Sequence, residues 1–323
     1  MPENMQIVSK KRKISFVIAC YHSQNSLQFV VEELTRVLHR DAQEYEVILV
    51  NDGSTDNTFQ VIQELCHSNS NVKGINLARN FGQQNAMLAG FNFTSGELVF
   101  YCDDDGQSPV KEYKRFIQKL DEGFDMVWAK YPNQRRSLIN GLGAKINNKM
   151  LHLIFKKPLE LNFGNMWVAK SFIINEAVKC KNPRLYLGGV FLTITSNMAN
   201  VECYQRERLI GRSNYSLVKL VVLWLNGLTA FSIVPLRAAS VAGGVIAFSG
   251  GIYMAYLIFI KLTNDEVLLG YSSIMSVILF IGGMLLFMIG VLGEYIGRIY
   301  SNMNSLPQFV IKQKINVERE QKQ

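Results

Sequence analysis

The sequence predicts an α/β fold, a mostly parallel sheet with helices on both faces, followed by an amphipathic helix and a hairpin of two apolar helices. Three observations carry this. Short apolar runs alternate with amphipathic stretches from Ile14 to Ala129, the pattern of repeated strand–helix–strand units. Several strand ends run into polar loops carrying Asp or Arg, where ligands of such sheets bind. Two long stretches near the C-terminus, Ala238 to Ile260 and Val267 to Gly293, contain no charged residue.

Taken in order, Ile14 to Cys20 reads as a strand and Ser26 to Leu38 as a helix. Glu46 to Val50 is a second strand running into the turn Asn51-Asp52-Gly53-Ser54. Ser54 or Thr55 is placed to cap a helix from Asp56 to Cys66. Val72 to Ala78 and Glu97 to Cys102 are further strands, with a helix from Gln83 to Phe93 between them. A helix from Val110 to Leu120 and a strand from Asp125 to Ala129 follow. Leu138 to Phe155 has a helical pattern, basic on one side and apolar on the other. Tyr215 to Ile233 reads as an interfacial helix ending at Pro235. The last dozen residues read as a disordered polar tail.

The most informative run is Val99-Phe100-Tyr101-Cys102-Asp103-Asp104-Asp105-Gly106-Gln107. An apolar strand ends in three carboxylates that repel one another. Side chains alternate along an extended segment, which puts Asp103 and Asp105 on one face and Asp104 on the other. Two carboxylates so placed can hold a hard divalent cation whose other positions go to phosphate oxygens. The alternative is a solvated acidic turn. Asp52, Arg79 and Asp103/Asp105 all fall at the carboxyl ends of predicted strands, which favours the site over the turn.

Each uncharged C-terminal stretch exceeds the ~20 residues a helix needs to cross a bilayer. Both are rich in small residues, as packed membrane helices are, and this composition points to self-association. Only Lys261 to Glu266 separates them. Lys219 and Arg237 precede the first span, and Arg298, Lys312, Lys314 and Arg319 follow the second, so both ends are expected in the cytoplasm. Lys261, at the interface, can snorkel. Met1 to Lys13 lacks an apolar segment, so no cleaved leader is expected. The five cysteines are scattered without metal-binding spacing, which fits free thiols in a reducing compartment. The net charge of +8 across 323 residues is assigned to an anionic bilayer surface rather than nucleic acid, because much of the excess lies near the spans.

These pieces together resemble the polyprenyl-phosphate glycosyltransferases, membrane-attached inverting family 2 glycosyltransferases with a GT-A fold. The markers are Val50 to Asp56, Arg79-Asn80-Phe81-Gly82-Gln83, and Asp103 to Gln107. Arg208-Leu209-Ile210-Gly211-Arg212-Ser213-Asn214-Tyr215, Pro235-Leu236-Arg237 and Gly293 to Tyr300 complete the set. The resemblance implies a nucleotide-sugar donor, a polyprenyl phosphate acceptor, which in the bacterial members is undecaprenyl phosphate, and Mg2+ or Mn2+. It implies that Tyr21 and Asp52 hold the base and ribose with Arg79 nearby, and that Asp103 also touches the donor. Asp103 and Asp105 would bind the metal, with Gln107 a further ligand. Arg206, Arg208, Arg212 and Ser213, with Arg135 and Arg136, would bind the acceptor phosphate, and Arg208 and Arg212 would also serve catalysis.

On this reading the chain divides into a cytoplasmic transferase domain 1–213, an interfacial helix 214–236, spans 237–262 and 267–297 joined by a turn 263–266, and a cytoplasmic tail 298–323. The expected location is the inner (cytoplasmic) membrane.

The sequence also departs from the family pattern. The usual Pro-x-Tyr-Asn-Glu reads Ala19-Cys20-Tyr21-His22-Ser23, which removes two polar contacts. The acidic block carries an extra Asp104, expected to be exposed, with an added metal-shell or base role as the alternative. A position that is Asp in many relatives appears as Asn162, ahead of Gly164. A phosphomonoester is already about −1.5 to −2 charged at neutral pH, so its oxygen is a competent nucleophile without losing a proton. The alternatives are a processive polysaccharide synthase, which would need more spans and a Gln-x-x-Arg-Trp motif, and a non-catalytic membrane scaffold built on a degenerate transferase domain.

Overall fold

The structure, a computed structural model, describes residues 12–41, 43–132, 152, 160–182, 185–204, 206, 234–263, 270–303 and 307–317. The chain forms two compact units, Met1–Val221 with Pro307–Gln323, and Val222–Leu306.

The first unit is built on an eight-stranded sheet. Its strands are β1 (Ile14–Cys20), β2 (Tyr45–Asn51), β3 (Val72–Leu77), β4 (Leu98–Tyr101), β5 (Met126–Lys130), β6 (Trp167–Lys170), β7 (Met198–Glu202) and β8 (Ile311–Ile315). The order across the sheet is β7-β5-β6-β4-β1-β2-β3-β8. β6 runs antiparallel to β4 and β5, and β8 antiparallel to β3; the other pairings are parallel. Every residue of β1 and β2 is buried, as strands covered on both faces require.

Helices α1 (Leu27–Arg40), α2 (Thr58–Ser68) and α4 (Tyr113–Asp121) cover one face. Leu27, Leu34, Ile62, Tyr113 and Phe116 pack there in one cluster with Phe16, Ile18, Val47, Leu49 and Phe100. Helix α3 (Gln83–Phe91) lies against β1 and β2 on the opposite face, and α5 (Ser171–Ala177) and α6 (Leu187–Ile194) pack beside each other on that side. There Trp167 meets Phe91 at 5.7 Å and Phe191 at 5.1 Å between ring centroids.

After β1, β2 and β3 step one way across the sheet, the chain crosses back and lays β4 on the other side of β1. The carboxyl ends of β1 and β4 therefore flank a switch point, where open α/β sheets bind their ligands. At the opposite, amino ends, Glu46 is buried and accepts from the Ser15 hydroxyl (2.5 Å), the Ser95 N–H (2.6 Å) and Lys73 Nζ (2.6 Å). That buried acid is satisfied and ties β1, β2, β3 and the β4 approach together.

Two expectations need correction. The α2 N-cap is Asn57, with no side-chain bond, rather than Ser54 or Thr55. Asp56 instead accepts from the Thr58 N–H at 3.1 Å and from its hydroxyl at 2.6 Å. The C-terminal tail is not a disordered segment throughout, because Ile311–Ile315 forms β8 in register with Gly74 to Leu77. Lys312 and Lys314 hid this strand by making it read as polar, whereas charged side chains are what an edge strand carries.

The second unit holds two long helices, α7 (Val234–Thr263) and α8 (Tyr271–Met303). Among the described residues one helix is long and apolar enough to cross a membrane, over Phe280–Gly297 at a mean hydropathy of 1.8. Ala239–Gly250 is a shorter apolar stretch. Phe248, Phe280, Leu286 and Phe287 are exposed. A side chain at Gly243 would sit 2.9 Å from Met288 Cε, so a small residue lets α7 and α8 meet. The helix expected at 138–155 and the interfacial helix at 215–233 lie outside the described residues, apart from His152.

Candidate active site

β4 ends at Tyr101, and the chain turns into the acidic corner. Tyr101 donates its hydroxyl to Asp103 Oδ1 at 2.9 Å. Gln83, the first residue of α3, donates Nε2 to the same oxygen at 3.1 Å and to the Tyr101 hydroxyl at 2.7 Å. The Asn165 side chain also hydrogen-bonds Asp103, and Tyr131 donates its hydroxyl to Asn165. Burial, reinforced by the neighbouring Asp105 charge, pushes the Asp103 carboxyl up to about 7 against the pull of the Tyr101 bond.

Asp104 is not the exposed acid expected. Its Oδ2 accepts from the Tyr21 N–H at 3.2 Å and from the Ser23 hydroxyl, and Ser26 donates to its carbonyl at 2.8 Å. Burial raises its pKa while the Ser23 and Tyr21 bonds work against that. Asp104 thus ties the loop after β4 to the loop after β1. Ser23, whose substitution was expected to cost a polar contact, supplies one here. Asp105 Oδ1 accepts from the Gln107 N–H at 3.1 Å.

On the other side of the switch point, Asp52 is 3% exposed and accepts two backbone donors. Phe81 N–H lies 2.7 Å from Oδ1 and Gly82 N–H 2.9 Å from Oδ2. Burial still raises the Asp52 pKa above its ordinary value, with the two N–H groups opposing it. Gly53 has φ +64°, and a Cβ there would lie 2.3 Å from the Arg79 carbonyl carbon. Only glycine lets these two loops interlock. Arg79 is exposed and sits 4.9 Å over the Phe81 ring. Tyr21 is 48% exposed and stacks on His22 at 4.1 Å between centroids. The His22 ring nitrogen lies 3.1 Å from the Thr55 hydroxyl, a local contact as expected.

Tyr21, Asp52, Arg79, Asp103 and Asp105 thus all belong to loops at the carboxyl ends of β1 to β4. Arg206 is engaged elsewhere: its Nη1 donates to Glu33 Oε1 at 2.9 Å and Oε2 at 2.8 Å. Burial pushes the Glu33 pKa up, but the Arg206 and Lys111 contacts outweigh it and leave the group below its ordinary value. Gln107 donates Nε2 to the Arg206 carbonyl at 3.2 Å, so it links the acidic corner to that segment. Arg135, Arg136, Arg208, Arg212 and Ser213 lie outside the described residues. Asn162 donates Nδ2 to the Glu160 carbonyl at 3.0 Å and its N–H to Asn200 Oδ1 at 2.8 Å.

Sequence reasoning missed Gln83, Tyr101, Ser23 and Asn165 as members of the site. Only Gln83 carried a signal, its place directly after the Arg79–Gly82 loop. Among the described residues no group of three or more His, Cys, Asp or Glu side chains forms a metal cage. The donor set still fits a hard cation. Asp103 and Asp105 offer carboxylate oxygens two residues apart just beyond β4, and burial together with the Asp105 charge disfavours the ionised Asp103, a cost that a cation relieves. Two carboxylates also suffice where the substrate's phosphates complete the shell.

A family model described as glycosyl transferase family 2 matches residues 15–170, and one described as GtrB C-terminal hairpin matches 234–299. The undecaprenyl-phosphate 4-deoxy-4-formamido-L-arabinose transferase of Proteus mirabilis is 32% identical over 98% of this chain and 98% of its own. The enzyme of that name in Serratia proteamaculans is 33% identical over 95% of each chain. The uncharacterized glycosyltransferase YkcC of Bacillus subtilis is 28% identical over 96% of this chain and 97% of its own. The mannosyl-3-phosphoglycerate synthase of Rubrobacter xylanophilus overlays 68% of this chain and 73% of its own at 19% identity, with a TM-score of 0.49. The two family models and the relatives matched along nearly the whole chain agree: the chain belongs to the family 2 glycosyltransferases that carry a GtrB-type C-terminal hairpin.

Proposed function

We propose that this enzyme transfers a monosaccharide from a nucleotide-sugar to a polyprenyl phosphate, undecaprenyl phosphate by the names of its relatives, at the cytoplasmic face of a membrane. The observation that carries the reading is the convergence of Asp52 with Asp103 and Asp105 beyond the carboxyl ends of β2 and β4. A nucleoside diphosphate has a ribose at one end and a diphosphate at the other, and these acids suit the two ends in turn.

Asp52, oriented by the Phe81 and Gly82 N–H groups, receives the ribose hydroxyls, and the half-exposed Tyr21 ring offers a face for the base. Asp103 and Asp105, with Gln107 beside them, would hold Mg2+ or Mn2+, which when bound stabilises the charge that develops on the leaving diphosphate. The acceptor phosphate oxygen attacks the anomeric carbon as the bond from that carbon to the nucleoside diphosphate breaks. The diphosphate leaves with the electron pair, and configuration inverts. Arg208, Arg212 and Ser213, with Arg135 and Arg136, supply the cationic and polar groups that draw the lipid phosphate to the site. Arg206 serves this role only by exchanging its bond to Glu33.

The exposed apolar side chains of α7 and α8 support a bilayer around the hairpin. The basic residues flanking it support both termini in the cytoplasm and the turn between the helices outside.

The test incubates the purified full-length chain in micelles with undecaprenyl phosphate, Mn2+ and a panel of UDP-, GDP- and dTDP-sugars. One labelled sugar should move into the lipid fraction with equimolar release of nucleoside diphosphate. No transfer from any donor, with lipid phosphate and cation present, would contradict the proposal.

A further inference from the structure

The loop after β3 and the first residue of α3 reach Asp52 and Asp103 in turn. Phe81 and Gly82 donate their N–H groups to Asp52. The next residue, Gln83, donates its side chain to Asp103 and to Tyr101, which itself bonds Asp103. Consecutive residues can face different partners because Gly82 has φ +89°, a conformation that side-chain-bearing residues rarely adopt.

We infer that Gln83 and Tyr101 are positioning residues: they hold the Asp103 carboxylate in one orientation for a divalent cation and fix it relative to the Asp52 end of the site. The inference rests on the reading of Asp103 and Asp105 as metal ligands given above. Two donors on one carboxylate oxygen fix the torsion of a side chain with only two rotatable bonds. A ligand held in a single orientation loses no freedom when the cation arrives, and outer partners of this kind commonly change metal affinity by 10–100-fold, a factor of about 10 at the lower end. Asn165, held in turn by Tyr131, adds a third contact on Asp103. Neither Gln83 nor Tyr101 needs to touch the cation to act in this way. Gln83 is exposed at the start of α3, so its replacement leaves the core intact.

The experiment titrates Mn2+ into the full-length chain in micelles with a nucleoside diphosphate supplying the phosphate oxygens, and follows free Mn2+ by electron paramagnetic resonance against a protein-free control with the same nucleotide. The variants are Gln83→Leu and Tyr101→Phe, with Asp105→Asn as the reference, and each is also melted in EDTA. Gln83→Leu and Tyr101→Phe should each weaken Mn2+ binding about tenfold, while the EDTA melting temperature of Gln83→Leu stays at the wild-type value. Wild-type Mn2+ affinity in both variants would overturn the inference while leaving the metal reading intact. Undiminished Mn2+ binding by Asp105→Asn would instead sink the metal reading, and the inference with it.

Discussion

The Ala78 N–H donates to the Val310 carbonyl at 2.8 Å, which joins the end of β3 to the chain that returns after the second long helix. The bond sits one residue before Arg79, where β3 gives way to the loop that clasps Asp52. From there β8 runs back along β3 from Leu77 to Gly74. Asn316 closes the strand, donating Nδ2 to the Cys66 carbonyl at 2.7 Å and to the Val72 carbonyl at 3.0 Å.

Asn316 has φ +55°, a region asparagine tolerates better than alanine. Asn316→Ala loses both bonds and adds strain, so it should cost about 2 kcal/mol of stability. Asn316→Gly should cost less, because glycine adopts that φ freely. Urea unfolding of the two variants side by side measures the difference, and a larger loss in the glycine variant would contradict the strand's closure by this turn.

Glu46 and Lys73 make a second quantitative case. The Glu46 side chain is 3% exposed and 2.6 Å from Lys73. Removing one partner of a buried pair costs about 3 kcal/mol, so Glu46→Gln should lower the midpoint of denaturant unfolding by that equivalent. Burial raises the Glu46 pKa, yet the Lys73, Ser15 and Ser95 bonds outweigh it and leave the group below its ordinary 4.5. Its stabilisation is therefore complete above pH 4.5 and is lost as pH falls through the lower folded value. The wild type should lose stability over that window more steeply than Glu46→Gln, as acid titrations followed by circular dichroism would report.

Gly53→Ala should damage donor binding more than acceptor binding. A methyl group there meets the Arg79 carbonyl carbon at 2.3 Å and strains a backbone at φ +64°. Such strain costs about 1–3 kcal/mol, and relief requires the Arg79–Gly82 loop to move away from Asp52. The KM for the nucleotide-sugar should rise while that for the lipid phosphate holds.

Asn162→Asp restores an acid where many relatives are expected to carry one. The acceptor phosphate needs no general base, because it is already anionic. Turnover by Asn162→Asp should match the wild type across neutral pH, and a rate gain with a new basic limb in the pH profile would show that a base was missing.

The strand–helix alternation and the positions of Asp52, Arg79 and the acidic run were legible because each sits at the border between an apolar run and a polar loop. Membership of the family was legible in the motifs that follow one another along the chain, and the helical hairpin in uncharged length, which is visible one residue at a time. The role of Asp104 was not, because its partners Ser23 and Tyr21 lie some eighty positions away in sequence and meet it only once β4 is laid beside β1. β8 was hidden because an edge strand of five residues with two lysines and a glutamine has the composition of a tail. The family resemblance implied a phosphate-binding role for Arg206, yet it is paired with Glu33, whose side of α1 no local pattern connects to it.

The most direct test of the central claim compares wild type with Asp105→Asn for release of nucleoside diphosphate from the cognate nucleotide-sugar, with undecaprenyl phosphate and Mn2+ each supplied or withheld. The account predicts release by the wild type only when both are present, and its loss in Asp105→Asn under every condition. Release that persists in Asp105→Asn, or that proceeds in the wild type after chelation of all divalent cations, would contradict it.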